Sequence, residues 1–125
     1  MWGMYIVLRA PAFDKEALKN LSLEQQRKIE RFERKQLTIN PYVGDPCGRP
    51  FFREKRLGNK RVYFLINDQF HAVLLIGISD KKTQQITIDD IQEAFDTYTA
   101  YIKEELRRRG AFSPWPPPSD SQQSY

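Results

Sequence analysis

The chain has 125 residues, the length of a single domain that can bury its own core. Hydrophobic residues make up 40% and charged residues 29% of the sequence, and this balance excludes a wholly disordered chain. No apolar run approaches the roughly 20 residues of a membrane span, and the first residues lack the basic region of a signal peptide. Cys47 is the only cysteine, which excludes an internal disulfide and a cysteine-based zinc site. We therefore expect a cytoplasmic protein without membrane attachment, metal or cofactor.

The first part of the chain predicts a strand followed by two helices. Residues 4–10 are rich in β-formers, and Asp14 is expected to cap a short helix. Ser22 and Gln25 form a capping-box pattern that opens a second helix, which Pro41 ends. Two helices joined by a tight turn predict a helical hairpin on one face of a sheet.

Three strands are expected next. The segment 40–50 contains three prolines and two glycines and is predicted to be a turn-rich connection without regular structure. The hairpin FFREKRLGNKRVYFLI follows over residues 51–66, and a further apolar strand spans 71–79. The last two strands are almost continuously apolar, so both of their faces should be covered or they should form the centre of the sheet.

The last predicted element is a long helix. Apolar residues recur at helical spacing from Ile88 to Leu106, Thr87 and Asp90 form a start signal, and Gly110 follows as a C-cap. The order β-α-α-β-β-β-α predicts an α+β fold, an antiparallel sheet with the helical hairpin on one face and the long C-terminal helix. We expect a domain over residues 1–110 and a Pro/Ser-rich disordered tail over 111–125.

Most of the net charge of +4 lies in the predicted hairpin. Between positions 49 and 62 there is one acidic residue, Glu54, and there are six basic residues: Arg49, Arg53, Lys55, Arg56, Lys60 and Arg61. One interpretation is an edge strand that charge protects against unwanted sheet pairing. The other is a surface that binds an anion, and this is the one we favour.

The length of the hairpin loop decides which basic residues share a face. A two-residue loop, Gly58-Asn59, pairs Leu57 with Lys60 and separates Lys55 from Arg61. A three-residue loop that starts at Leu57 pairs Arg56 with Lys60 instead. It places Arg53, Lys55, Arg61 and Tyr63 on one face and Phe52, Val62, Phe64 and Ile66 on the other. We predict the three-residue loop, because it gives one apolar face for the helices and one basic face for a ligand.

The order of these segments resembles that of the RelE/ParE superfamily of type II toxin–antitoxin systems. The resemblance rests on the following pieces: Leu37-x-x-Asn40-Pro41-x-x-Gly44, Phe52-Arg53-x-Lys55, Arg61-Val62-Tyr63, the apolar strand 73–78, and Lys81-Lys82. In the RelE-like branch, which we favour, it implies an endoribonuclease that cleaves mRNA on the ribosome through attack by the RNA 2′-hydroxyl. In the ParE-like branch it implies inhibition of DNA gyrase. In both, an antitoxin protein is the partner that restrains the toxin.

The resemblance also implies the residues of a site. The expected catalytic residues are Lys55, Arg61 and Lys82, with Lys55 as general base because neighbouring cations favour its neutral amine. The expected RNA- or phosphate-binding residues are Arg53, Arg56, Lys60, Tyr63 and Lys81. RelE-like nucleases carry a Tyr or His shortly after the last strand, and residues 80–87 contain neither. A non-catalytic relative of the same fold therefore stays open, as does a homodimer formed through the C-terminal helix.

Overall fold

The structure, a computed structural model, describes residues 4–110, and the predicted tail over 111–125 lies outside the described residues. Its elements confirm the predicted α+β class and are, in chain order, β1 (Ile6–Arg9), α1 (Pro11–Asn20), α2 (Leu23–Phe32), a π-helical turn (Glu33–Leu37), β2 (Asp45–Arg49), β3 (Phe52–Leu57), β4 (Lys60–Asn67), β5 (Ala72–Asp80), α3 (Gln84–Glu93) and α4 (Phe95–Arg108). No helix of this part of the chain is long and apolar enough to cross a membrane.

The five strands form one sheet in the order β1-β5-β4-β3-β2. Strands β2 to β5 are antiparallel to one another, and for β3, β4 and β5 this was predicted. Strand β1 pairs with β5 in parallel, so the prediction of a wholly antiparallel sheet is wrong at this edge. Strand β2 was not predicted, because its sequence DPCGR contains turn-forming residues. It lies at the edge of the sheet, where a proline is tolerated, and its pairing with β3 is irregular between Pro46 and Arg49.

The helix boundaries differ from the predicted ones in two places. Helix α1 begins at Pro11 and not after Asp14, because proline is well suited to the first helical position, where its missing N–H is not needed. The capping box of Ser22 and Gln25 is present at the start of α2. The predicted long C-terminal helix begins earlier, at Gln84, and is interrupted at Ala94, where φ is −110° and ψ is 14°.

Helices cover both faces of the sheet, as the apolar strands indicated. On one face, the α1–α2 face, the Phe32 ring of α2 meets the Phe64 ring of β4 at a centroid distance of 5.7 Å. On the other, the α3–α4 face, Phe95 of α4 meets Phe52 of β3 at 5.5 Å. The apolar side of the C-terminal segment, including Ile102, is buried within the protomer, so a homodimer is not needed to cover it.

Candidate functional site around the β3–β4 hairpin

The hairpin loop has two residues, Gly58 and Asn59, since Leu57 pairs with Lys60. The predicted three-residue loop is therefore wrong. Gly58 adopts a φ of 60°, the left-handed conformation that glycine supplies at the first central position of a tight hairpin turn. A contact from outside the hairpin also fixes this turn, because Gln25 of α2 donates a hydrogen bond from Nε2 to the Leu57 carbonyl oxygen at 3.1 Å.

This register divides the predicted basic face. Lys55 is the cross-strand neighbour of Val62, and Arg61 is the neighbour of Arg56. Because side chains alternate along a strand, Arg53 and Lys55 lie on the α1–α2 face, whereas Arg61 and Tyr63 lie on the α3–α4 face. The prediction that these four side chains share one face is wrong, and Phe52 likewise belongs to the α3–α4 face and not to that of Val62, Phe64 and Ile66.

Arg61 lies in a polar cluster under α3. Its Nη1 donates a hydrogen bond to Glu54 Oε2 at 3.0 Å, and the pair is mostly buried, with side-chain exposures of 14% for Arg61 and 8% for Glu54. Gln84 Nε2 of α3 lies 3.4 Å from the second carboxylate oxygen of Glu54. The charge of Arg61 is therefore balanced inside the protein.

Tyr63 and Cys47 complete this cluster on the α3–α4 face. Tyr63 is fully buried, its hydroxyl lies 2.8 Å from Ser79 Oγ, and burial raises its pKa. Burial, followed by the nearby Glu54 charge, raises the pKa of the Cys47 thiol to about 12. Within residues 4–110, no group of three His, Cys, Asp or Glu side chains is placed to hold a metal ion. The cluster contributes to packing and to internal ion pairing.

The Arg53 side chain is held by hydrogen bonds to main-chain carbonyl groups of the segment before β3. Its guanidinium donates hydrogen bonds to the carbonyl oxygens of Val43 at 2.9 Å, Pro50 at 2.9 Å and Gly44 at 3.3 Å. It also lies over the Tyr42 ring, 5.8 Å from the centroid. Arg53 thus fixes the segment that leads into and out of β2, and much of its donor capacity is used there.

Lys55 lies in a cleft between α2 and the hairpin, on the α1–α2 face. Its Nζ is 5.0 Å from the centroid of the Phe32 ring, a cation–π contact. The cleft has a volume of about 300 Å³ and is lined by Lys28, Arg31, Phe32, Gln36, Lys55, Arg56, Leu57 and Gly58. We call it the α2–hairpin cleft. It brings together one predicted site residue, Lys55, and two that the sequence analysis missed, Lys28 and Arg31. Arg56 borders the cleft at the end of β3, but its position opposite Arg61 directs its side chain to the other face of the sheet.

The remaining predicted site residues lie near the end of β5. Lys60 lies beside it on β4, and Lys81 and Lys82 follow it in the chain. Lys60 is the cross-strand neighbour of Asp80, whose pKa is lowered by hydrogen bonds from Thr83, both from its backbone N–H and from its hydroxyl. Lys81 and Lys82 are exposed in the turn between β5 and α3. The expected catalytic set is thus divided, because Lys55 lies on the opposite face of the sheet from Arg61.

Comparison with solved structures identifies the class of fold. The chain superposes on the toxin–antitoxin complex RelBE2 of Mycobacterium tuberculosis with a TM-score of 0.54 and 20% identity, covering 65% of this chain and 95% of that chain. For a mutant of the E. coli toxin RelE in complex with an antitoxin RelBc peptide, the TM-score is 0.54, the identity 14% and the coverage 67% and 94%. The chain therefore shares the fold of these two proteins. Its sequence matches no protein-family model and no curated protein.

Proposed function

We propose that the chain is the toxin of a type II toxin–antitoxin system, restrained by an antitoxin protein, and that it acts on mRNA at the ribosome. The observation that supports this proposal is the fold, which is similar to those of two proteins solved as toxin–antitoxin complexes.

An RNA target fits the charge of the protein. The net charge is +4, and the α2–hairpin cleft gathers three cationic side chains, Lys28, Arg31 and Lys55. In the proposed reaction, the 2′-hydroxyl of one nucleotide attacks the adjacent phosphodiester, and the bond from phosphorus to the 5′-oxygen of the next nucleotide breaks. The leaving oxygen takes up a proton from water, and cationic groups stabilise the charge that develops on the phosphate. Lys55 remains the proposed acceptor of the 2′-hydroxyl proton, and Lys28 and Arg31 are the cations that share its cleft.

A second candidate function is that of a non-cleaving relative, which arrests growth by binding RNA or a protein target such as gyrase. The ion pair of Arg61 with Glu54 supports it, because a balanced arginine stabilises a transition state less than a free one does. The absence of a Tyr or His in residues 80–87 supports it as well.

Regulated expression in a bacterial host tests the proposal. Induction of the full chain alone should stop growth, and coexpression of the small reading frame beside its gene should restore it. Mapping of mRNA 5′ ends then separates the two candidates, since a cleaving toxin creates new ends within translated codons. Growth that continues at normal rate with the folded protein present would contradict the toxin assignment.

A further inference from the structure

We propose that the α2–hairpin cleft is a binding site for the phosphates of an RNA backbone. The inference rests on the proposed function, because that function makes RNA the target. It adds a location, on the α1–α2 face, away from Arg61 and the rest of the buried polar cluster.

The cleft is an uncompensated positive surface. Within residues 4–110, the ion pairs and side-chain hydrogen bonds leave Lys28, Arg31 and Lys55 without an acidic partner. No carboxylate lines the cleft. Glu33, which follows Phe32, binds Arg9 through two hydrogen bonds of 2.8 Å. Three like charges that meet in one cleft are expected to attract a polyanion.

Helix geometry explains why the cations converge. Arg31 and Phe32 follow Lys28 at spacings of three and four residues, so that all three lie on the same side of α2. The end of β3 supplies Lys55, and Gln25 ties the hairpin turn to the start of α2. The cleft is therefore formed between two elements whose relative position is fixed.

The floor of the cleft favours phosphates over bases. Phe32 is only 3% exposed, its ring lies under the Lys55 ammonium, and it also contacts Phe64. Its face is therefore not available for stacking with a base, which sequence-tolerant single-strand readers commonly use. The Arg31 guanidinium is suited to bidentate contacts with phosphate oxygens, and the Lys28 and Lys55 ammonium groups add compact positive charges. Binding should thus depend strongly on salt and weakly on base sequence.

Fluorescence anisotropy with purified full-length protein tests this site. The probe is a labelled single-stranded RNA of about twelve nucleotides and mixed sequence, titrated at several salt concentrations. The double variant Lys28→Gln/Arg31→Gln should bind about tenfold or more weakly, and the slope of log K against log salt should fall by about 0.7 for each phosphate that the variant no longer neutralises. Thermal melting of each variant confirms that it is folded.

The chain offers a matched control with the same loss of charge. Arg27 is exposed on α2 but does not line the cleft, and Lys103 is exposed on α4. The variant Arg27→Gln/Lys103→Gln should therefore stay within about twofold of the unmodified protein. Equal losses in the two double variants would overturn the inference, since they would indicate attraction by net charge alone.

A competitor and a cellular readout separate the remaining outcomes. If poly-glutamate displaces the labelled RNA at a lower concentration of charges than unlabelled RNA does, the inference is overturned in favour of an acidic peptide. RNA binding through the cleft without growth arrest would leave the cleft supported and the toxin function refuted. Growth arrest and RNA binding that are both unchanged in Lys28→Gln/Arg31→Gln would refute the cleft alone.

Discussion

Arg61 Nη1 and Glu54 Oε2 lie 3.0 Å apart on the sheet face that α3 covers. Glu54 is the only acidic residue in the basic hairpin segment, and the strand register directs it to the same face as Arg61. The positive charge of the hairpin is consequently reduced on the α3–α4 face and concentrated on the α1–α2 face, at the α2–hairpin cleft.

Removal of Glu54 should destabilise the fold, because it leaves the mostly buried Arg61 charge without its partner. For Glu54→Ala we expect a loss of about 3 kcal/mol in the free energy of unfolding, measured by urea denaturation. Replacement of both residues by apolar ones, Glu54→Leu with Arg61→Met, should recover much of this loss.

The surface pair of Glu104 and Arg107 is the matched control, since its side chains are 52% and 63% exposed. Glu104→Ala should change the free energy of unfolding by less than about 1 kcal/mol. A Glu54→Ala effect as small as that of Glu104→Ala would show that the buried pair contributes little to stability.

Gly44 should tolerate no side chain. It has a φ of 74°, and a Cβ at this position would overlap the backbone carbonyl of Glu54. Gly110 has a similar φ of 72°, but a Cβ there would meet no atom within 4 Å, so Gly110→Ala isolates the conformational cost of about 1 kcal/mol. Gly44→Ala adds the overlap and should cost about 3 kcal/mol. Equal midpoints of thermal unfolding for the two variants would refute the close contact of Gly44 with β3.

The thiol of Cys47 should be unreactive in the folded protein. Its pKa is raised from 9.0 to about 12 by burial and by the Glu54 charge, so the thiolate is scarce near pH 8. A raised folded-state pKa means that the neutral thiol contributes stability below pH 9.0, and this contribution is lost as the pH rises toward 12. Labelling with a thiol reagent at pH 8 should be much slower in buffer than in urea, and equal rates would contradict this placement.

Gln25 should stabilise both α2 and the hairpin turn. Its side chain caps Ser22 N at 2.9 Å and bonds the Leu57 carbonyl oxygen at 3.1 Å. Gln25→Ala should cost about 1–2 kcal/mol by urea denaturation. Gln85→Ala is the control, because Gln85 bonds the exposed Asp89 on its own helix, and its effect should be near zero. If both variants unfold at the same urea concentration, the tie between α2 and the hairpin does not contribute.

Local signals in the sequence predicted most elements of the fold. The capping box of Ser22 and Gln25 opens α2, and the apolar runs of β4 and β5 form the centre of the sheet. Strand β2 was not predicted because its own residues do not favour a strand. It is a strand because it pairs with β3.

The candidate site was harder to predict because it depends on contacts between distant residues. Both loop lengths were compatible with the Gly58-Asn59 pair, and the observed register reversed the face of Arg61 relative to Lys55. The sequence does contain a signal for Lys28 and Arg31, because helical spacing places both beside the apolar Phe32 on one side of α2. Their approach to Lys55, however, is fixed only by packing of α2 on the sheet.

The most direct test of the proposed function uses purified ribosomes that hold a defined mRNA. Addition of the full-length protein should cut the mRNA within the decoded region, leaving a 2′,3′-cyclic phosphate and a 5′-hydroxyl as attack by the 2′-hydroxyl requires, and the same mRNA without ribosomes should stay intact. The cleft variant Lys28→Gln/Arg31→Gln should cut more slowly than the control Arg27→Gln/Lys103→Gln. An mRNA that remains intact on ribosomes saturated with the protein would contradict the proposed cleavage.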